Sequence, residues 1–214
     1  MRTFSKSKLI AFRQCPKRLW LEVHRPELKE ISAETEARFQ VGYQVGDIAR
    51  RIYDPKGKGA LIDIQTEGFD AAYARTAELV ANSREPVFEA AFRVKGAMAL
   101  ADVLLPTRKS GQALWRMVEV KSSTSVQDYH REDIAVQTFV ATTAGVPLKS
   151  VALAHIDNTW LYPGNEDYRG LLKEEDMTKE SVARTKEVEG WIAEAQKTAA
   201  LRKEPKVEIG RAHV

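Results

Sequence analysis

A hairpin pattern between residues 86 and 105 constrains the fold of this chain more than any other feature. Four apolar residues recur at every second position: Phe88, Ala90, Phe92 and Val94. This period is typical of a strand with one apolar face. Lys95-Gly96 supplies a tight turn, so residues 97–105 are expected to pair back on the first strand.

The elements after the hairpin, together with one helix before it, give a characteristic order. The predicted segments are a helix at 69–82, a polar loop at 106–113, a third strand at 114–122, a second helix at 128–144, a fourth strand at 148–157 and its short partner at 160–162. The order from residue 69 is helix, three strands, helix, strand. An α/β fold with a mixed central sheet is therefore predicted.

Further helices are predicted at both ends of the chain. Residues 5–23 have helical periodicity that Pro16 interrupts, and residues 32–53 form a long helix that Ser32 can cap. We expect one domain over residues 1–214. Its parts are a basic N-terminal helical part at 1–58, a core at 60–172 and a long C-terminal helix at 178–201.

Positive charge is concentrated at the start of the chain. The formal net charge is only +3, but residues 1–29 hold eight basic and two acidic side chains, a local excess of +6. Such a segment can follow a phosphate backbone, and the candidate contacts are Lys8, Arg13, Lys17 and Arg18. The alternative is an ordinary solvated helix face, which charge alone favours.

The cysteine count and the hydropathy pattern narrow the class of protein. Cys15 is the single cysteine, so an internal disulfide framework is excluded and a reducing cytoplasm fits. No apolar run approaches the length of a membrane span, and the N-terminal residues do not resemble a signal peptide. We therefore expect a cytoplasmic protein with a packed core.

Three charged residues fall on strands that should be largely buried. Asp102 lies on the second strand, and Glu119 and Lys121 share one side of the third. Two carboxylates on adjacent strands repel each other, and Mg²⁺ or Mn²⁺ between them would relieve that repulsion. Without a metal, their pKa values should shift in opposite directions. The alternative is a buried ion pair with a purely structural role.

The order of these residues resembles the PD-(D/E)XK nuclease superfamily. The matching stretches are CPKRLW, ADVLL, VEVKS and DIAVQ, at 15–20, 101–105, 118–122 and 133–137. The resemblance is greater to the RecB-like and CRISPR-associated iron–sulfur exonuclease branch. Residues 5–24 also resemble an adjacent bacterial family of unknown function. The resemblance implies a restriction-endonuclease-like αβββαβ core and a metal-dependent DNA nuclease.

The resemblance also implies roles for individual residues. Asp102 and Glu119 would be metal ligands with the Val120 carbonyl, Lys121 the catalytic lysine, and Gln137 a helix residue that contacts the active site. His130 shares a helix face with Gln137 and is a candidate phosphate contact, although a surface histidine is an equal alternative. The implied cofactor is Mg²⁺ or Mn²⁺. The implied substrate is DNA with single-stranded or frayed ends, handled in repair or defence, with a larger nuclease–helicase or defence complex as a further partner.

The sequence also departs from this pattern. Where the nucleases carry a metal-binding histidine four residues after a glycine, this chain has Gly46 after Gly42, and Asp47 is the candidate substitute. Ala141 stands where a tyrosine is usual. Since Cys15 lacks the further cysteines of the iron–sulfur branch, we expect no cluster, a buried thiol and a C-terminally truncated chain. The alternative functions are a catalytically degraded nucleic-acid-binding module and a partner-docking domain.

Overall fold

A seven-stranded mixed sheet forms the centre of the computed structural model, which describes residues 1–109 and 112–206. The strand order is β2-β3-β4-β5-β6-β7, and β1 pairs separately with β4. The strands are β1 (Phe4–Ser5), β2 (Ala60–Leu61), β3 (Val87–Val94), β4 (Ala97–Lys109), β5 (Gln112–Lys121), β6 (Leu148–Ile156) and β7 (Leu172–Asp176). β1–β4, β2–β3 and β5–β6 are parallel, and the other pairs are antiparallel.

The predicted hairpin is confirmed as β3 and β4. Val94 pairs with Ala97, and the register continues to Val87 opposite Leu104. Gly96 has a φ of 89°, a left-handed conformation that glycine adopts without steric cost, so the tight turn depends on this residue. The short side chains of Ala90, Ala91 and Ala99 are buried in the main core.

Eight helices surround the sheet within the described residues. They are α1 (Lys6–Gln14), α2 (Pro16–His24), α3 (Ala33–Tyr53), α4 (Ile64–Glu67), α5 (Phe69–Asn82), α6 (Asp128–Thr143), α7 (Thr178–Ala183) and α8 (Thr185–Ala200), with a 3₁₀ turn at Pro26–Leu28. The order α5-β3-β4-β5-α6-β6 is the predicted αβββαβ order, so the mixed α/β fold is confirmed. α6 is the connection between the parallel strands β5 and β6.

Some predicted elements differ from the structure. Of the expected polar loop at 106–113, residues 110–111 lie outside the described residues and the rest belong to β4 and β5, which pair over a longer stretch than periodicity indicated. Residues 160–162 are not a strand, and β7 pairs with β6 instead. The C-terminal helix is two helices separated at Arg184, whose φ and ψ are –86° and 3°.

The N-terminal helices pack against the C-terminal helix α8. The Trp20 indole Nε1 donates to the Leu201 carbonyl at 2.9 Å, and the Arg13 guanidinium lies 4.5 Å from the Trp191 ring centroid. Leu9 and Leu19 are fully buried in this region. The basic N-terminal segment is therefore part of the folded body. No helix in the described part of the chain is both long and apolar enough to cross a membrane.

Candidate active site

A gap beside strand β4 creates the site. One edge of β4 pairs with β3, and its opposite edge is shared by β1 at Ala97–Met98 and by β5 from Val103 onward. The β4–β5 ladder ends at the Val103–Val118 pair. The backbone of β4 between these two partners consequently lacks a neighbouring strand, and its polar groups need other partners.

Side chains complete the hydrogen bonding in this gap. The Asp102 carboxylate accepts the backbone N–H of Val120 at 2.7 Å, where a strand carbonyl would otherwise serve. The Gln137 amide Nε2 donates to the Leu100 carbonyl at 2.9 Å and also to Glu119. Asp102 and Gln137 are thus held in place by the backbone of the central strands, which gives the site a fixed geometry.

Glu119 lies at the centre of the cluster and is only 1% exposed. Its Oε1 accepts hydrogen bonds from the ammonium groups of Lys121 and Lys6, each at 2.7 Å. Lys6 was not identified by sequence reasoning. It begins α1 directly after β1, and the Ser5 hydroxyl caps this helix by accepting the Lys8 N–H at 3.3 Å. The available signal was this capping serine, which indicates where α1 starts but not what the helix faces.

Asp133 is a second residue that sequence reasoning did not assign to the site. Its carboxylate accepts a hydrogen bond from Lys121 and lies 3.9 Å from Lys6 Nζ. Asp133 precedes Gln137 by four residues on α6, so both side chains lie on one helix face. That spacing was the available signal, and two lysines and two carboxylates now form one network.

The pKa values of the two predicted carboxylates shift in opposite directions, as expected. Burial, and then the negative charge of Glu119, raise the pKa of Asp102 well above its ordinary value. Burial also opposes ionisation of Glu119, but the ammonium groups of Lys121 and Lys6 outweigh it and hold the pKa of Glu119 below its usual range. Burial likewise disfavours charged Lys121, yet the surrounding carboxylates raise its pKa.

Glu89 brings a further carboxylate towards the site. It lies between the Phe88–Val103 and Ala90–Ala101 pairs, opposite Asp102, and has a φ of 55°. This left-handed conformation is costly for a residue with a β-carbon and is often found at functional sites. Burial, followed by the charge of Glu119, raises the pKa of Glu89. The side chain of Glu89 is partly buried.

The cluster opens into a cleft of about 450 Å³. One wall carries Asp102, Glu119, Val120 and Lys121, with Lys6 beside them. The opposite wall is one face of α3, whose lining residues are Arg38, Phe39, Gly42, Tyr43, Val45 and Gly46. Asp102, Glu119 and Lys121 thus meet at one cleft below a helix. Gln137 is 1% exposed and contacts Glu119 without lining the cleft itself.

Two predicted site residues lie elsewhere. Asp47 follows Gly46 by one position, which turns its side chain about 100° around the helix. It is 61% exposed, pairs with Arg50 and does not line the cleft, so the structure does not bring it to the other expected metal ligands. His130 is 2% exposed, and its Nδ1 accepts the Gln127 N–H at 3.1 Å. His130 does not line the cleft, and its expected contact with a phosphate stays a prediction.

The predicted DNA-binding residues of the N-terminal helices have carboxylate partners. Arg13 contacts Glu132 at 2.8 Å, Lys17 contacts Glu204 at 3.2 Å, and Arg18 contacts Glu22 at 3.1 Å. Lys8 is partly exposed on α1. Surface ion pairs of this kind are weak and exchange readily. A DNA-binding role for these four residues stays a prediction.

The donors in the cleft fit a hard divalent cation. Asp102 and Glu119 offer carboxylate oxygens, Val120 lines the same cleft, and Mg²⁺ or Mn²⁺ retains waters on such a small ligand set. Gln137 Oε1 is buried without a hydrogen-bond partner in the described residues, which bound water or an ion would correct. Among residues 1–109 and 112–206, no group of three or more His, Cys, Asp or Glu side chains is arranged for a metal.

Two departures from the nuclease pattern have clear positions. Ala141 is fully buried in the core and reaches no part of the cleft, so its position adds nothing to the site. Cys15 is partly exposed at the N-cap of α2, where its backbone N–H donates to the Ala11 carbonyl at 3.0 Å. The expected burial of this thiol is therefore wrong.

The comparisons with known proteins include two solved structures of low sequence identity. No protein-family model matches the chain, and no curated protein matches it. Among solved structures, the crystal structure of SSO0001 matches with 15% sequence identity and a TM-score of 0.43. This match covers 96% of this chain and 78% of the SSO0001 chain. An alkaline exonuclease, LHK-Exo from Laribacter hongkongensis, is 11% identical with a TM-score of 0.36, over 92% of this chain and 89% of that chain. Similarity at this level carries no argument about activity.

Proposed function

We propose that this chain is a metal-dependent nuclease of the PD-(D/E)XK type that hydrolyses phosphodiester bonds in DNA, with RecB-like motifs. The observation that carries the proposal is the meeting of Asp102, Glu119 and Lys121 in one cleft. These residues come from two strands whose ladder ends at the site, and Gln137 and Asp133 hold them from α6. A structural ion pair would need neither an open cleft nor two carboxylates with opposed pKa shifts.

Asp102, Glu119 and the Val120 carbonyl would hold Mg²⁺ or Mn²⁺. When bound, such a cation supplies an activated water and neutralises charge on the phosphate. The metal requires ionised carboxylates, and burial and the charge of Glu119 raise the pKa of Asp102. Metal binding should therefore strengthen as the pH rises through the raised pKa of Asp102.

The side chains around this ligand set have separate tasks. Lys121 is held by Asp133 and Glu119 at the cleft wall, where its ammonium can orient a water and stabilise charge on a phosphate oxygen. Gln137 fixes the Glu119 carboxylate against the Leu100 carbonyl. Positioning of this kind lets groups act without rearrangement during the reaction.

A second candidate function is nucleic-acid binding without cleavage. Gly46 supplies no side chain at the α3 wall, and Asp47 pairs with Arg50 outside the cleft lining. Both oxygens of Glu119 are also engaged by Lys6, Lys121 and Gln137. These observations favour weak metal binding and would explain a protein that keeps the fold without turnover.

Cleavage of labelled single-stranded and duplex DNA with Mg²⁺, Mn²⁺ or EDTA tests the proposal. Wild-type protein should cleave only with a divalent cation, and Asp102→Asn, Glu119→Gln and Lys121→Met should each lower the rate by at least about a thousandfold. Glu78→Gln, which alters an exposed carboxylate on α5, is the matched control and should retain the wild-type rate.

The outcomes separate the two functions. Cleavage in EDTA, or cleavage that persists in Glu119→Gln, would contradict the proposed site. Mn²⁺ binding measured by titration calorimetry should disappear in Asp102→Asn if that carboxylate is a ligand. DNA binding without cleavage by correctly folded wild-type protein would instead support the binding module.

A further inference from the structure

The N-terminal half of α3 stands away from the body of the protein. Every residue from 33 to 44 is exposed except Thr35, and Val45 and Ala49 are the buried residues of the helix. At a rise of 1.5 Å per residue, this half projects for about 18 Å. This half nevertheless carries large apolar side chains: Phe39 is 49% exposed and Tyr43 is 66% exposed.

These two aromatic residues lie on the helix face that forms the cleft wall. Phe39, Gly42, Tyr43 and Gly46 follow the i, i+3, i+4, i+7 spacing of one helical face, and all four line the cleft. A β-carbon built at either glycine would meet no atom of the described residues within 4 Å. Glycine destabilises the interior of a helix, so two glycines on one face need an explanation. Close packing against another described part of this chain does not supply one, because nothing approaches either residue.

The cleft combines flat apolar groups with positive charge. Phe39 and Tyr43 form what we call the aromatic wall. Arg38, Lys6 and Lys121 line the same cleft, and although each pairs with a carboxylate, these three cations outnumber the two carboxylates of the lining. A ligand with planar apolar rings and anionic linkages matches this combination, with its rings on the aromatic wall and its phosphates towards the cations. The unobstructed backbone at Gly42 and Gly46 leaves space for such a ligand beside the rings.

We propose that the aromatic wall is a base-stacking subsite for single-stranded nucleic acid, adjacent to the candidate nuclease centre. This inference rests on the proposed function, which assigns phosphodiester cleavage to the neighbouring carboxylates and lysines. Bases in a duplex already stack on each other, so only unpaired bases can lie against protein rings. The wall therefore selects single strands or unpaired ends and presents the linkage next to the stacked bases to Asp102 and Glu119.

Binding in EDTA tests the subsite independently of cleavage. Fluorescence anisotropy would compare a labelled single-stranded oligonucleotide with the same oligonucleotide carrying several abasic residues, which keep the phosphates but lack the bases. Removing one ring by Phe39→Ala or Tyr43→Ala should weaken binding of the normal strand about tenfold. Tyr43→Phe keeps a ring and should restore most of the affinity. Phe69→Ala removes a similarly exposed ring on α5, away from the cleft, and is the control.

The comparison between the two strands gives the decisive result. Wild-type protein should prefer the normal strand over the abasic strand, and the Phe39→Ala, Tyr43→Ala double variant should lose that preference while still binding phosphate. An unchanged preference in the double variant would overturn the subsite. So would equal affinity of the wild type for blunt duplex and single strands. A double variant that changes from dimer to monomer in light scattering would show that the wall is an interface between copies, and would also overturn it.

The nuclease proposal and the subsite can fail separately. Wild-type protein that prefers bases in EDTA but cleaves no DNA with Mg²⁺ or Mn²⁺ would refute the nuclease proposal and support the subsite. Wild-type protein that cleaves DNA with metal but does not prefer the normal strand over the abasic strand would support the nuclease proposal and refute the subsite.

Discussion

At the scale of single residues, the site depends on charges held in close contact. Glu119 is buried between Lys6 and Lys121, and Asp133 extends this network to α6. Removing one partner of a buried charge pair leaves the other uncompensated, which is strongly destabilising. Each charged residue of the cluster therefore affects its neighbours, and variants should change shape and volume as little as possible.

Lys6→Met should increase the affinity of the free protein for Mn²⁺ by about tenfold, because a positive charge beside the metal ligand is removed. The Lys6 ammonium lies 2.7 Å from Glu119 Oε1, an atom that a cation would also contact. Titration calorimetry measures the change. Lys8→Met, on the same helix and outside the cleft lining, should leave the affinity unchanged. A lower affinity in Lys6→Met would show that Lys6 supports the ligand geometry rather than competing with the cation.

His130 should make folding stability depend on pH. Burial, and then the Lys121 ammonium, lower the pKa of His130 from 6.5 to about 4, so the unfolded chain takes up a proton that the folded chain excludes. Its contribution is therefore present above about pH 6.5 and lost as the pH falls to about 4. The loss should be roughly 3 kcal/mol, since each unit of pKa corresponds to about 1.4 kcal/mol. Urea unfolding between these pH values measures it.

His130→Gln is the variant that isolates this effect. Glutamine at the third helical position can keep the capping interaction with the N-cap backbone but does not titrate. The variant should lose less stability than the wild type as the pH falls. Parallel losses in the two proteins would exclude His130 as the cause.

At the scale of elements, α3 determines which side chains can reach the cleft. Gly46 faces the carboxylates and Asp47 faces solvent, although only one position separates them. Sequence reasoning placed the helix at residues 32–53 because its periodicity and its Ser32 cap are local properties. It could not assign the face that meets the sheet, since that depends on how α3 packs against β4 and β5.

Gly46→His should raise the affinity for Mn²⁺ by roughly tenfold, because it adds an imidazole ligand at the open cleft wall. The space above Gly46 admits a side chain, and replacing a glycine inside a helix should also stabilise the fold. Asp47→His, one position further along, is the matched control and should bind Mn²⁺ as the wild type does. Equal affinities in the two histidine variants would mean that α3 does not face the site as described.

At the scale of the whole molecule, the two ends of the chain support the site together. The Gln196 side chain on α8 accepts the Arg2 N–H at 3.1 Å and donates to the Arg2 carbonyl at 2.6 Å. This contact anchors the segment that leads through β1 to Lys6. A residue of the site thus depends on a helix almost 200 positions away, which no local pattern reveals.

Trp191→Ala should lower the free energy of unfolding by about 3–5 kcal/mol, because it removes a large side chain from the contact between α8 and the N-terminal helices. Trp191 is 8% exposed and lies under the Arg13 guanidinium. Lys197→Ala, at an exposed position of the same helix, should change the free energy of unfolding by less than about 1 kcal/mol. Urea unfolding distinguishes the two. A loss below 1 kcal/mol in Trp191→Ala would mean that α8 contributes little to the fold.

The order of elements and the acidic and basic residues of the central strands follow from the sequence itself. Strand periodicity, the Lys95-Gly96 turn and helix caps act over a few residues, so the placement of Asp102, Glu119 and Lys121 on neighbouring strands could be predicted. The surroundings of each side chain were decided only by the tertiary structure. Packing brought Lys6 and Asp133 to Glu119, turned Asp47 away and buried His130. Contacts between distant segments depend on how whole elements bury their apolar faces, which no local pattern specifies.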